Sequence, residues 1–194
     1  DLTCGPVIDA AERKLCEVTG AKYAVLVSNG TAALHLAALA AGFGEGDEVI
    51  VSSITFAASA NCILYCGAKP VFADIDPETY NIDPKSVERL ITPRTKGIVA
   101  VDFTGQAVEH KALQDICRKH GLRLIEDAAH AIGTRYGGRA VGSIADMTCF
   151  SFHPVKTITS GEGGAVTTND PKLWARLRRL RAHGITRNRE EMVH

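Results

Sequence analysis

Leu122-Arg-Leu-Ile-Glu-Asp127-Ala-Ala-His130 and Met147-Thr-Cys-Phe-Ser151-Phe-His-Pro-Val-Lys156 are the two stretches that decide the fold. Each begins as a short, largely apolar run and then breaks into polar residues, the pattern of a strand buried in a sheet. Leu122–Glu126 is predicted to deliver Asp127, and Met147–Phe152 to deliver Ser151 and then Lys156. Both strands are expected to end at one site.

Working outward, apolar runs alternate with helical patterns, which predicts an α/β domain with a mostly parallel central sheet and helices on both faces. Pro6 opens a first helix with Val7, Ala10, Ala11 and Leu15 on one side, and Gly20 closes it. Tyr23–Val27 reads as a strand. Thr31–Ala41 is apolar on nearly all faces, so that helix should be buried. Strands at Glu48–Ser52 and Lys69–Asp74 flank a helix at Ala57–Cys66 that ends before Gly67. Asp83-Pro84 caps a short helix through Leu90, and Gly97–Val101 is a further strand. Val108–His120 is amphipathic, with Val108, Ala112, Leu113, Ile116 and Cys117 on one stripe, and Gly121 ends it. Gly164–Thr168 is the last strand, and Asp170-Pro171 starts a basic helix running to about His183.

Composition narrows the function. Of 194 residues, 22 are basic and 22 acidic, and no block of like charge offers a footprint for nucleic acid or an anionic membrane. A small molecule is the expected partner. No segment approaches the roughly 20 apolar residues of a spanning helix, and no secretory leader is visible, which predicts a cytoplasmic protein. The 6 cysteines lack the paired spacing of a zinc site, so they read as core thiols and no metal is expected. Cys62 and Cys66, four apart on a helix, lack the further ligands of a metal site. The abrupt start at Asp1 and the charged close at Arg187–His194 read as if sequence were missing at both ends.

The residues that can carry chemistry are few. A lysine amine holds an aldehyde as a Schiff base, and a carboxylate keeps a pyridinium nitrogen protonated so that the ring accepts electrons. Lys156 and Asp127 are therefore the pair a pyridoxal cofactor requires, and they point to an aminotransferase. Phe150, Phe152, Val155 and Ile158 around Lys156 suggest partial burial, although a solvated surface lysine is the simpler alternative. Asp127 at the end of an apolar strand implies a cationic partner, since an unpaired buried charge is costly. It could equally cap the segment after it. His130 reads as a core histidine or a site residue, Ser151 as a strand-end hydroxyl or an anion ligand, and Phe56 as a core aromatic or a flat surface beneath a ring. Ser28-Asn-Gly-Thr-Ala32 follows a strand and opens a helix, where backbone N–H groups welcome a phosphate. The same residues also cap ordinary helices. The run lacks the lysine of a nucleotide P-loop and the glycine spacing of a dinucleotide fingerprint. Glu162 receives no role.

Asn29-Gly-Thr-Ala-Ala-Leu, Asp47-Glu-Val-Ile-Val, Gly67-Ala-Lys-Pro-Val-Phe, Glu126-Asp-Ala-Ala-His and Ser151-Phe-His-Pro-Val-Lys156 with Gly161-Glu-Gly-Gly-Ala together resemble the DegT/DnrJ/EryC1/StrS sugar aminotransferases, from about Cys4 to Gly184. Within that family, Asp102-Phe-Thr-Gly-Gln and Phe152-His-Pro-Val-Lys-Thr-Ile-Thr are most similar to the UDP-4-amino-sugar transaminases of pseudaminic acid biosynthesis. The resemblance implies a fold type I large domain over residues 1–194, with the small carboxy-terminal domain absent. It implies pyridoxal 5'-phosphate bound to Lys156, with Asp127 on the pyridine nitrogen, His130 beside the phenolic oxygen and Phe56 stacked on the ring. By the same resemblance Thr31 and Ala32 give backbone N–H donors to the cofactor phosphate, the Ser151 hydroxyl adds a third contact, and Gly30 stands with them among the cofactor-binding residues. The implied reaction moves an amino group from an amino acid, usually glutamate, to a nucleotide-linked ketosugar, on the way to cell-surface polysaccharides or glycans. It also implies a homodimer with the active site at the subunit interface, completed by an asparagine of the neighbour. Relatives that dehydrate sugars carry histidine in place of the lysine, so Lys156 speaks against that class. Retention of Lys156, Asp127 and Ser151 speaks against a silent regulator, and no cysteine stands in the mobile loop a desulfurase needs.

Overall fold

The computed structural model describes residues 5–185, so residues 1–4 and 186–194, with Cys4 and the charged close among them, lie outside the described residues. The strands are β1 (Tyr23–Val27), β2 (Glu48–Ser52), β3 (Lys69–Ala73), β4 (Thr95–Val101), β5 (Arg123–Asp127), β6 (Arg135–Tyr136), β7 (Arg139–Ala140), β8 (Met147–Ser151) and β9 (Gly164–Thr168). The helices are α1 (Pro6–Thr19), α2 (Gly30–Ala41), α3 (Ala57–Tyr65), α4 (Pro84–Leu90), α5 (His110–His120) and α6 (Pro171–Arg181). A 7-stranded sheet is ordered β1-β9-β8-β5-β4-β2-β3. β2, β3, β4, β5 and β8 pair in parallel, while β9 runs antiparallel to both β8 and β1. The mostly parallel α/β architecture is therefore observed, with one reversed strand that returns from the segment bearing Lys156.

Period-two alternation splits the core between the faces. Val49, Val51, Val99, Ile125 and Cys149 pack with α2, α3 and α6, whereas Ile50, Ile98, Ala100 and Leu124 pack with α4 and α5. Ile125 and Asp127 thus share the α3 face, and Leu124 and Glu126 the α5 face. The buried α2 helix follows its composition, with Ala33, Leu34, Ala37, Ala38 and Ala40 all buried.

Three local expectations change. Val7 is 78% exposed, and α1 is held instead by Leu15 and by Glu12, whose Oε1 accepts from Arg181 Nη1 at 2.5 Å and from the Leu26 N–H at 2.9 Å. α5 begins at His110 and not at Val108, because Glu109, with ψ 72°, lies outside helical geometry; the Val108 N–H is held by Asp102 Oδ1 at 3.0 Å. α6 stops at Arg181, and His183 adopts a positive φ of 61°, which a right-handed helix excludes. The short β6–β7 hairpin around Gly137-Gly138 was not anticipated; both glycines have positive φ (54° and 81°), as a two-residue type I′ turn demands.

Candidate active site

Parallel strands gather ligands beyond their carboxyl ends, where side chains from several strands converge. Here a cavity of about 340 Å³ opens at that edge, lined by Gly30, Thr31, Phe56, Asp127, Ser151 and Lys156, along with Asn29, His153 and Glu162. Two residues expected at the site, Ala32 and His130, are not among its wall residues, but each contacts one that is.

Asp127 closes β5 and is 5% exposed. Its Oδ2 accepts from Ser59 Oγ at 2.5 Å, and its Oδ1 accepts from the Ala129 N–H at 3.2 Å. Burial nevertheless pushes its carboxyl above the usual carboxylate range, outweighing those hydrogen bonds and the nearby charges of Lys156 and His130. A cation placed against this carboxylate would relieve that penalty. Ser59 was not anticipated. It sits on the buried face of α3 and shares a 2.7 Å hydrogen bond with Thr55 Oγ1. The only trace in the sequence is a hydroxyl set among Ala58, Cys62 and Ile63.

Lys156 lies in the segment between β8 and β9, half-buried, with its Nζ 2.7 Å from Nε2 of His130. The flanking residues do not bury it as expected: Val155 is 75% and Ile158 51% exposed. Shelter comes instead from the cavity wall and from the His130 segment, whose carbonyl accepts from Thr157 Oγ1 at 2.9 Å. His130 is itself exposed at the surface, which removes the core-histidine reading. Partial desolvation, reinforced by the Lys156 charge, lowers its imidazole pKa and favours the neutral ring as acceptor. Phe56 is 75% exposed and presents its ring to the cavity rather than to the core.

At the far end the cavity meets the start of α2. A Cβ on Gly30 would come within 2.8 Å of Ser151 Cβ and 3.1 Å of Ser151 Oγ, so only glycine lets the helix start and the hydroxyl approach this closely. Gly164 is tighter still against the Asn29 backbone. The Ala32 N–H, expected to face the phosphate, donates instead to Asn29 Oδ1 at 2.8 Å, so it is engaged in capping. The cap leaves other donors of this turn free: the Gly30 and Thr31 N–H groups have no intrahelical carbonyl to reach. Two first-turn amides, a helix N-terminus and the Ser151 hydroxyl form a donor set suited to a phosphate, while the other end offers a carboxylate and an amine. The residues present fit a phosphorylated pyridine aldehyde.

The full span, residues 1–194, matches the model of the DegT/DnrJ/EryC1/StrS aminotransferase family. A GDP-perosamine synthase from Caulobacter vibrioides is 49% identical over 185 residues, covering 95% of this chain and 50% of that protein. Among solved structures, an aminotransferase from Psychrobacter cryohalolentis superposes with a TM-score of 0.93 at 41% identity, covering 98% of this chain and 49% of that one. Helicobacter pylori PseC, an aminotransferase involved in the biosynthesis of pseudoaminic acid, gives 0.89 at 39% identity, covering 97% and 51%. The chain thus spans about half the length of the relatives it matches.

Proposed function

Because this chain belongs to the DegT/DnrJ/EryC1/StrS aminotransferase family, we propose that the whole protein is a pyridoxal 5'-phosphate-dependent transaminase that moves an amino group from an amino acid, glutamate in the first instance, to a nucleotide-linked ketosugar. The observation that carries this reading is that Lys156 and Asp127, delivered by separate strands, line one cavity with the α2 start and Ser151 at its other end. When bound, pyridoxal phosphate supplies an electron sink that makes the carbon bearing the amine acidic.

The chain's own residues do the rest. Asp127 holds a proton on the pyridine nitrogen, and Ser59 and the Ala129 N–H fix the carboxylate for that task. Lys156 would hold the cofactor aldehyde through its amine, and as a free amine its Nζ would be the group placed to carry a proton. Neutral His130 orients the Lys156 amine by accepting at Nε2, and it would lie beside the phenolic oxygen of a bound cofactor. Phe56 covers one ring face and holds water off it. Gly30 and Thr31 donate backbone N–H groups to the phosphate, Ser151 adds its hydroxyl, and Ala32 supports them through the Asn29 cap.

The narrower reading, a UDP-linked 4-keto-6-deoxy sugar, rests on the likeness of Asp102–Gln106 and Phe152–Thr159 to pseudaminic-type enzymes. The perosamine relative shares more identity, 49% against 39%, so GDP-linked sugars belong beside UDP-linked ones. A homodimer with each site at the subunit boundary, in the cytoplasm, completes the proposal. The test is the full-length protein with glutamate and a panel of UDP-, GDP- and TDP-linked 3-keto and 4-keto sugars, read by the mass of the aminated product. Amination of none of them, with a cofactor-loaded protein, would overturn the assignment.

A further inference from the structure

Behind Asp127, on the α5 face of β5, three buried ionisable side chains meet that the proposed chemistry does not use. Asp102 follows β4, Glu126 precedes Asp127, and His110 opens α5; they are 1%, 0% and 1% exposed. One ligand atom from each lies within 4.8 Å of the others. Glu126 Oε2 accepts from Thr148 Oγ1 at 2.7 Å, and Asp102 Oδ1 from the Val108 N–H at 3.0 Å. The remaining oxygens, Asp102 Oδ2 and Glu126 Oε1, have no hydrogen-bond donor among the described residues. His110 Nε2 stands 2.7 Å from Glu126 Oε1 but out of line for an N–H bond, and among the described residues no lysine or arginine pairs with either carboxylate. Two carboxylates this close, out of water, do not both ionise. Something positive must sit between them. A metal fits poorly: two ligands at about 2.0 Å from a tetrahedral ion lie roughly 3.3 Å apart, and the His110–Glu126 contact is already shorter.

We propose that Asp102 is a protonated acid whose Oδ2–H donates to Glu126 Oε1, and that this buried proton, with His110 against the same carboxylate, positions the Asp127 end of β5 and His130. The path is continuous. The Asp102 N–H donates to the Asp127 carbonyl at 3.0 Å. Three residues on, Gly105 lies so near the His130 carbonyl that a Cβ would reach it at 2.8 Å, and its own carbonyl accepts from Thr134 Oγ1 at 2.8 Å. His130 in turn touches Lys156. The titratable groups facing the acid pair are His110 on α5 and Tyr136 on β6, whose ring meets His110 edge-on at 5.2 Å, while the Asp127 charge acts from the opposite face of β5. Burial first, then the Glu126 charge, holds the Asp102 carboxyl well above its usual range. A folded-state pKa raised in this way stabilises the fold fully below the unfolded pKa, and that contribution is lost as pH rises through the folded value.

The test uses the full-length, cofactor-loaded protein and its Asp102→Asn and Asp102→Leu variants. Asparagine imitates the protonated acid, donating from Nδ2 to Glu126 while Oδ1 still accepts from Val108. The expected result is a wild-type melting temperature that falls with rising pH across a range where Asp102→Asn is flat, together with an infrared carbonyl band of a protonated acid that disappears in Asp102→Asn. The pH at which the bound cofactor's visible band titrates should shift in Asp102→Leu and be restored in Asp102→Asn. Identical pH slopes in wild type and Asp102→Asn, an absent acid band, or a metal ion found at one per subunit would each overturn the proposal. An unfolded Asp102→Leu with a flat, folded Asp102→Asn supports it.

Discussion

The Lys156 Nζ lies 2.7 Å from Nε2 of His130, among the described residues the one direct polar link between the β8–β9 segment and the turn after β5 that has side chains at both ends. Because burial and the Lys156 charge both lower the histidine pKa, the ring accepts rather than competes for the proton. His130→Ala should reduce turnover about 10²-fold, the low end of a lost proton-transfer or orienting partner. It should leave Lys156 able to form an adduct with the cofactor that borohydride reduction fixes. Mass spectrometry of the reduced protein checks the second point. Lys156→Ala should abolish both the adduct and turnover, and circular dichroism should show an unchanged fold, since the side chain is only half-buried.

Asp127 carries opposite consequences for stability and for activity. Its raised folded-state pKa means that its contribution in the cofactor-free protein is present below the unfolded carboxylate range and is lost as pH rises through the folded value. Asp127→Asn removes the ionisation and keeps groups able to pair with Ser59 and the Ala129 N–H. The cofactor-free variant should therefore melt higher than wild type at neutral pH, by roughly 2–4 °C for about 1 kcal/mol. Turnover should fall by at least about 10³-fold, because asparagine cannot hold a proton on a pyridine nitrogen. Melting scans of the apo-proteins and turnover of the loaded ones separate the two effects. Equal apo stabilities would show that this carboxylate is not strained by burial.

The phosphate end is tested by geometry. Gly30→Ala places a methyl 2.8 Å from Ser151 Cβ, so the α2 start or the end of β8 must move. Cofactor affinity should fall at least about tenfold, since displaced charge-assisted hydrogen bonds are worth roughly 1.5–3 kcal/mol each. Ser151→Ala, which removes one hydroxyl without a clash, should lose less. Titration of the apo-proteins with pyridoxal phosphate, followed by the visible band, ranks the two.

How far the sequence foretold this site depends on the range of each interaction. Asp127 and Ser151 were legible because each terminates an apolar run, and strand ends on one edge of a parallel sheet are brought together by topology. Lys156 followed from its spacing after β8, but the source of its shelter did not, because His130 reaches it across 26 positions of chain. Ser59 was invisible for the same reason: its partner is 68 residues away. The Asn29 cap was legible as a local signal, yet which amides it leaves free depends on one side-chain rotamer. The β6–β7 hairpin carried a Gly-Gly signal within strands too short to show alternation. The buried Asp102–Glu126–His110 group assembles from β4, β5 and α5, and no pairwise spacing announces it.

Away from the site, Glu48 anchors the start of β2 against the strand beside it. Its carboxylate accepts from Thr92 Oγ1 at 2.7 Å, Arg94 Nη2 at 2.8 Å and Lys69 Nζ at 3.3 Å, and these partners, Thr92 and Arg94 foremost, hold its pKa down to about 2. A depressed folded-state pKa contributes stability that is present above the unfolded carboxylate value and disappears as pH falls toward the folded one. Glu48→Gln should therefore lower the melting temperature at neutral pH. The gap between variant and wild type should narrow on acidification from about pH 5 toward pH 2. Lys69 and Arg94 are largely exposed, so added salt should weaken their share and leave the Thr92 hydrogen bond as the main residue of the effect. Melting curves of both proteins across that pH range, at low and high salt, decide it: a gap that stays constant with pH would mean that Glu48 acts through packing and not through its charge.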